Sequence, residues 1–367
     1  MLKRMLYRYS TDSNGKMRKT ATIYTNSEHS IKLKNIDNDA LRIVYQLHDY
    51  GYQAYIVGGA VRDLLLNKKP KDFDIVTDAT PTQIKRIFRN SRIIGKRFRL
   101  VHVFFDQKIF EVSTFRSILN GSVGNIFGTI EEDSQRRDFS LNALYYDPIK
   151  EQIFDYVGAM QDIKNKKLVP IIPLERIFAE DPVRMIRAVK YSSTTGFKMS
   201  VKLKRKIKKS ALLLLQVSAS RLTEEFFKII NSGFAYKIIL TSFDLNLLEY
   251  IQPNAYKMMK KDKIFKQNYL NSMKKLDELV INNTTRLGEK LNFVIQDFVD
   301  TLDDWESVKN QKSINVSEIY KNVWSECRSF VLPMNPQRTE LEFAVKLALK
   351  NNGIVMKNRN KINKPKV

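Results

Sequence analysis

The chain has 367 residues, room for two or three domains with cores of their own, and an ordinary apolar content of 43%. Its 63 Lys and Arg outnumber 39 Asp and Glu, a net charge of +24 that suits a polyanionic partner such as nucleic acid or an anionic membrane, although lysine-biased coding gives the same excess. The lone Cys327 excludes an intramolecular disulfide and a cysteine-based zinc site, and His29, His48 and His102 are scattered, so a catalytic metal would sit on carboxylate oxygens, as magnesium or manganese does.

Residues 1–33 are rich in Arg, Lys and Ser and poor in acid, and are expected to form a flexible basic arm; a transit peptide shares this composition. From about Asn35 the pattern tightens. Leu41, Val44 and Leu47 recur at helical spacing and stop at Gly51. "AYIVGG" reads as a short strand ending in glycines, with a helix opening at "AVRDLLLN". "FDIVTD" reads as a strand, and "TPTQIKRIF" as a helix with a Thr cap and proline at its first position. "RLVHVFF" and "KIFEVSTF" alternate across "DQ", the mark of a hairpin. "DFSLNALYY" suggests a helix leading to a strand, and "EQIFDYVGAMQDIKN" a strand then a helix. Beyond about Pro173 strands are not expected, and "ALLLLQV" (211–217) reads as a core helix, too short to span a bilayer. A mixed α/β head therefore precedes an all-helical body, with the boundary near 150–175. A monomer in the reducing cytoplasm, away from membranes, is the expectation.

Two aspartates, Asp72 and Asp74, stand one residue apart where a strand begins. Side chains two apart on a strand share a face. Such a pair can converge on two divalent ions about 3.5–4 Å apart, the arrangement that transfers nucleotidyl groups. Taken alone, Asp-x-Asp is more often a solvated turn. Glu111, mid-strand between Phe110 and Val112, would complete a three-carboxylate cup if it lay on an adjacent strand; an outward-facing strand glutamate is an equal reading. Upstream, Gly58 and Gly59 permit close approach to phosphate, and Arg62 follows in the first helical turn. In "QRRDFSLNAL", Asp138 either caps a helix or stands beside a ribose or metal, with Arg137 then on a phosphate. In "EDPVRMIR", Asp181, Arg184 and Arg187 step by three along one helical face and Lys190 continues the ladder. A surface ion pair and a base-reading set both fit.

Five motifs occur in one order: G-G-x-V-R-D (58–63), D-F-D (72–74), R-R-D-F (136–139), D-Y-V-G-A-M-Q-D (155–162) and E-D-P-V-R-M-I-R (180–187). Their order resembles that of the bacterial poly(A) polymerases and class II CCA-adding tRNA nucleotidyltransferases, continuously from about Ala40 to Gly196. The resemblance implies an α/β head of the polymerase-β-like nucleotidyltransferase kind with a small mixed sheet, followed by an all-α neck and body. It divides the chain into an arm (1–33), a catalytic head (34–165), a neck binding nucleotide and RNA (166–230), an RNA-binding body (231–356) and a basic tail (357–367). It implies extension of RNA 3′ ends from ATP with two Mg²⁺ or Mn²⁺ ions. Asp72, Asp74 and Glu111 match metal-binding positions, Asp138 a further active-site acid, and Gly59, Arg62, Arg137, Asp181, Arg184 and Arg187 nucleotide-contacting positions. Lys190 stands where many members have arginine.

Within the family, "RIIGKRFRLVHVFF" (92–105) resembles the poly(A) polymerase branch, and the run after Arg116 lacks the R-x-E-x-x-Y of many CCA-adding enzymes. Poly(A) addition to mRNA or small RNA is thus expected. The alternatives are CCA or A addition to tRNA and an inactive RNA-binding scaffold, against which the presence of all four acids speaks. The stretch 201–209 carries Lys202, Lys204, Arg205, Lys206, Lys208 and Lys209 without an acid. A phosphate track for RNA and a merely solvated charged helix are equally good readings.

Overall fold

The structure is a computed structural model that describes residues 6–11, 15–95, 100–119, 126–282, 285–310 and 315–355. The basic tail from 357, and Lys96, Arg97 and Phe98 of the branch-marking segment, lie outside the described residues. The chain divides into two compact units, Met1–Asp181 with Phe197–Leu203, and Pro182–Gly196 with Lys204–Val367.

The first unit is built on strands β1 (Leu6–Thr11), β2 (Met17–Tyr24), β3 (Ala54–Val57), β4 (Asp74–Thr77), β5 (Ser91–Ile94), β6 (Leu100–Phe105), β7 (Lys108–Thr114), β8 (Leu144–Asp147) and β9 (Gln152–Asp155). They form a nine-stranded sheet in the order β1-β2-β9-β8-β3-β4-β7-β6-β5. It is mixed, as expected: β4 and β7 run parallel, and the other neighbouring pairs antiparallel. The basic arm expected over residues 1–33 is corrected here, because β1 and β2 form a hairpin that adds to the edge of β9. Backbone pairing carries it, with Ala21 the only fully buried side chain among the described residues of β1 and β2, so the usual hydrophobic signal is missing.

Helices α1 (Asn38–Asp49), α2 (Gly59–Leu65), α3 (Pro81–Ile87), α4 (Ile130–Gln135) and α5 (Ala159–Lys164) complete this unit. Local chemistry sets their ends. The Asp37 side chain accepts from Asp39 N at 2.9 Å to start α1, and Gly51, at φ +83°, follows its end. Thr80 and Gln83 form a reciprocal capping box on α3, with Pro81 at its first position. The turn Asp106–Gln107 joins β6 to β7, with Asp106 at φ +49°.

Alternation sorts the strands onto two faces. Ile56, Ile75, Val101, Phe110 and Val112 pack with Ile43, Leu47, Val61 and Ile84 of the helices in one core. Tyr55, Val57, Val76, Phe115, Tyr145 and Phe154 form a smaller cluster on the opposite face. That second face carries the candidate site.

The second unit is helical. After α6 (Ile177–Glu180, in the first unit) come α7 (Val183–Thr195), α8 (Val201–Ser210, its first three residues counted in the first unit), α9 (Ala219–Ile230), α10 (Ala235–Asp244), α11 (Leu248–Ile251) and α12 (Pro253–Lys261). Further helices follow at Lys263–Asn282, Leu287–Val299, Val316–Phe330 and Arg338–Asn351. A two-residue strand, Lys198–Met199, pairs in parallel with Lys167–Leu168, so strands do not end entirely at Pro173. The expected core helix at 211–217 is also corrected: Ala211–Gln216 is a 3₁₀ helix that buries Ala211 and Leu214 and leaves Leu212 and Leu215 outside. Among the described residues, no helix is long and apolar enough to cross a membrane.

Candidate active site

Asp74 opens β4, while Asp72 lies two residues before it, outside the strand. Phe73, between them, packs against the helix-side core. In β4 alternation puts Asp74 with Val76 on the opposite face, and both aspartates are exposed. In β7, Phe110 and Val112 point to the helix-side core, which turns Glu111 to the same face as Asp74. The parallel register pairs Ile75 with Val112; one step back along it, Asp74 comes opposite Glu111. Alternation on two strands and one parallel register thus bring Asp74 and Glu111 to neighbouring positions on one face, with Asp72 two residues away along the chain.

Glu111 does not turn toward Asp74. Its Oε1 lies 3.6 Å from Nε2 of His102, its cross-strand partner on β6. Among the described residues, no three His, Cys, Asp or Glu side chains gather closely enough to hold an ion. The donor set is nevertheless right for a hard cation. Magnesium keeps several waters and is bound by one or two carboxylates plus substrate phosphates, rather than by a closed protein cage. Asp72 and Asp74, both exposed and two residues apart, fit that demand.

The glycine turn sits directly beside Asp74. Val57 pairs with Asp74 across β3 and β4, and Gly58 follows at φ +69°, ψ −132°. That conformation is nearly exclusive to glycine. A Cβ at Gly58 would stand 3.6 Å from Asp74 Oδ2, an ordinary contact, so the backbone angle and not space demands glycine. Gly58→Ala is expected to cost about 1–3 kcal/mol, measured as a lower urea midpoint with an unchanged slope. Gly59 is the first residue of α2 and needs no special angle.

Arg62 folds back toward this turn. Its Nε donates to Asp63 Oδ1 at 2.8 Å and its Nη1 to Asn142 Oδ1 at 2.9 Å. The sequence expected Arg136, Arg137 and Asp138 at a helix start. The structure corrects this: α4 ends at Gln135 with Arg136 as its C-cap, and only a 3₁₀ turn, Ser140–Asn142, follows. Asp138 is buried, and its Oδ1 accepts from Phe139 N at 2.8 Å.

What organises this segment is Asp133, which the sequence reading did not single out. It is buried, and its Oδ1 accepts from Arg136 Nε at 2.9 Å and from the Arg116 amide at 3.3 Å. Its Oδ2 accepts from Arg137 Nη2 at 2.9 Å and from the Tyr145 hydroxyl at 2.8 Å. Burial by itself would raise this carboxyl, but the charges of Arg137 and Arg136 and these hydrogen bonds hold it at about 2. Burial, with repulsion from Arg136, also lowers Arg116 to about 10. Arg137 Nη1 then donates to the Asn142 carbonyl at 3.2 Å. A continuous chain of hydrogen bonds thus runs from Asp133 through Arg137 and Asn142 to Arg62 beside the glycine turn. The signal was present as i, i+3 and i, i+4 spacing from Asp133 to the two arginines.

The "DYVGAMQD" motif has a local role. Asp155 accepts from the amides of Val157, Gly158, Ala159 and Met160 at 2.8–3.1 Å and so caps α5. In "EDPVRMIR" the expected single helical ladder is broken. Asp181 is extended at φ −151°, ψ 99°, as a residue before proline prefers, and α7 begins only at Val183. Asp181 is buried in the first unit; Arg184 is buried and Arg187 half-buried on α7 in the second. Lys190 Nζ lies 3.3 Å from Glu225 Oε2 of α9. Burial, reinforced by Arg187, lowers its pKa despite that partner. On α8, Leu203 and Ile207 are buried, Lys206 is half-buried, and Lys202, Lys204, Arg205, Lys208 and Lys209 are exposed. The basic residues thus surround one apolar seam.

The poly(A) polymerase head domain model matches residues 54–169, and a model described as "Probable RNA and SrmB- binding site of polymerase A" matches residues 196–267. Poly(A) polymerase I of Escherichia coli O6:H1 is 35% identical over 344 residues, covering 86% of this chain and 73% of that protein. The CCA-adding enzyme of Bacillus pumilus is 34% identical over 216 residues, covering 57% of this chain and 54% of that protein. The crystal structure of the Bacillus stearothermophilus CCA-adding enzyme in complex with CTP superposes with a TM-score of 0.58 at 24% identity, over 85% of this chain and 82% of the other. The chain belongs to the nucleotidyltransferase family of bacterial poly(A) polymerases and CCA-adding enzymes.

Proposed function

We propose that the protein adenylates RNA 3′ ends without a template, moving AMP from ATP to the terminal hydroxyl. The observation that carries this is the 35% identity to poly(A) polymerase I over 86% of the chain, joined to Asp74 and Glu111 on one sheet face with Asp72 two residues before Asp74. In the reaction the 3′-oxygen bonds to the α-phosphorus, the bond to the β-phosphate breaks, and pyrophosphate leaves.

Asp72 and Asp74 would hold two divalent ions, which when bound acidify the attacking hydroxyl and neutralise charge on the triphosphate. Glu111 would add its carboxylate on leaving His102, and Asp138 would orient the reacting groups. Gly58 and Gly59 give the triphosphate access to backbone amides, and Arg62 supplies a guanidinium already oriented by Asp63 and Asn142. Arg137, fixed on Asp133, supports that placement. Asp181, Arg184 and Arg187 would read the base. Lys202, Lys204, Arg205, Lys206, Lys208 and Lys209 would neutralise RNA phosphates.

The similarity to CCA-adding enzymes favours a second reading, CCA or A addition to tRNA. Purified protein with Mg²⁺ and either ATP or CTP, offered an unstructured oligonucleotide or a tRNA lacking its terminus, separates the two. Long adenylate tails on the oligonucleotide are the expected result. Incorporation of C, or strict dependence on the tRNA, would establish the second reading instead.

A further inference from the structure

The exposed leucines of the 3₁₀ helix at Ala211–Gln216 lead to a feature of the helical unit that the reaction above leaves unused. Leu215, 69% exposed, forms one wall of an open cavity of about 530 Å³ whose floor includes Tyr250 and Tyr256. Three lysines line the same cavity, Lys257, Lys260 and Lys261, against a single acid, Glu249. At i, i+3 and i+4 on α12 the lysines share one helical face. All three are exposed, and none forms an ion pair among the described residues. The Tyr256 ring packs 5.3 Å from that of Phe243, and Lys260 Nζ sits 5.3 Å from the Tyr256 centroid.

An aromatic and aliphatic floor under a cationic rim matches the two faces of single-stranded nucleic acid, a flat base and a charged backbone. A folded protein partner would need a larger continuous apolar area. An acidic peptide would satisfy the lysines but not the rings. We propose that this cavity is a subsite for single-stranded RNA, in which a base lies against Tyr250 and Leu215 while neighbouring phosphates pair with Lys257, Lys260 and Lys261. The proposal rests on the protein being an RNA-extending enzyme, and it assigns a base-stacking contact distinct from the basic helix α8.

The two halves of the subsite predict different signatures in equilibrium binding of a labelled oligoadenylate. Tyr250→Ala should weaken binding about ten-fold while leaving the salt dependence unchanged, and Tyr250→Phe should restore it. Replacing Lys257, Lys260 and Lys261 together by glutamine should weaken binding and lower the slope of log K against log salt by about 2. The lysines are on the surface, so that variant is expected to fold even if Tyr250→Ala does not. Unchanged affinity and slope in the lysine variant would overturn the subsite, as would equal slope changes from both variants. AMP transfer by the unaltered protein is measured separately. Its failure would strike the catalytic reading, whereas wild-type RNA binding by the variants strikes only the cavity.

Discussion

Replacing Asp74 by alanine is expected to reduce AMP transfer by at least about a thousand-fold, roughly 4 kcal/mol of transition-state stabilisation. The loss should leave the fold intact. Asp74 is exposed at the head of β4, its backbone pairs with Val57 whatever its side chain, and surface substitutions of this kind stay within about 0.5 kcal/mol. Asp72→Ala should behave alike, because it stands two residues from Asp74 and is exposed too. Single-turnover AMP incorporation, with thermal melting as the control for folding, checks both. Near-normal incorporation by either variant would remove the metal-binding assignment. A collapse in melting temperature would show that the carboxylate acts in folding instead.

Asp133→Ala should have the largest effect on stability. The substitution strips Arg136 and Arg137 of a buried counter-charge and Tyr145 of its acceptor. Losing one partner of a buried pair costs about 3–5 kcal/mol, because the remaining charge stays desolvated. The pH dependence identifies the cause. The folded-state carboxyl lies at about 2 against an ordinary 3.8, so the unfolded chain takes up the proton first as acid is added. The stabilisation is complete above the ordinary value and drains away as pH falls toward 2, about 2 kcal/mol in all. Urea midpoints of the unaltered protein should drop across that window, and those of Asp133→Asn should drop less. Equal acid sensitivity in both would place the titrating group elsewhere.

The sequence shows the faces of Asp74 and Glu111 but not the meeting of the strands. Alternation about Ile75 and about Phe110 and Val112 is local, and it turns Asp74 and Glu111 away from the helices. That β4 and β7 lie side by side and parallel is a long-range pairing that no local pattern encodes. Asp133 was hidden for a different reason. It ends an acidic run, Glu131-Glu132-Asp133, in which only the fold decides which member is buried. Asp181 was misplaced because proline spacing was read as continuing a helix that in fact starts after it. The leucine run at 211–217 misled because consecutive apolar residues cannot all face inward from a helix. The Thr80 box, the Gly51 stop and the Asp106–Gln107 turn were legible because each is settled by neighbours within a few positions.

The hairpin of β1 and β2 has a consequence for how the protein behaves at high concentration. Without it, β9 would end the sheet with a bare row of amides and carbonyls, a template onto which another copy could zip. The hairpin moves that boundary out to β1, whose Arg8 is tied to the Tyr156 hydroxyl at 2.9 Å and whose partner strand carries Arg18 and Lys19. A short outermost strand bearing Arg8, with Arg18 and Lys19 on the strand beside it, is a poor template for a second copy. The hairpin thus keeps the edge of β9 from open pairing.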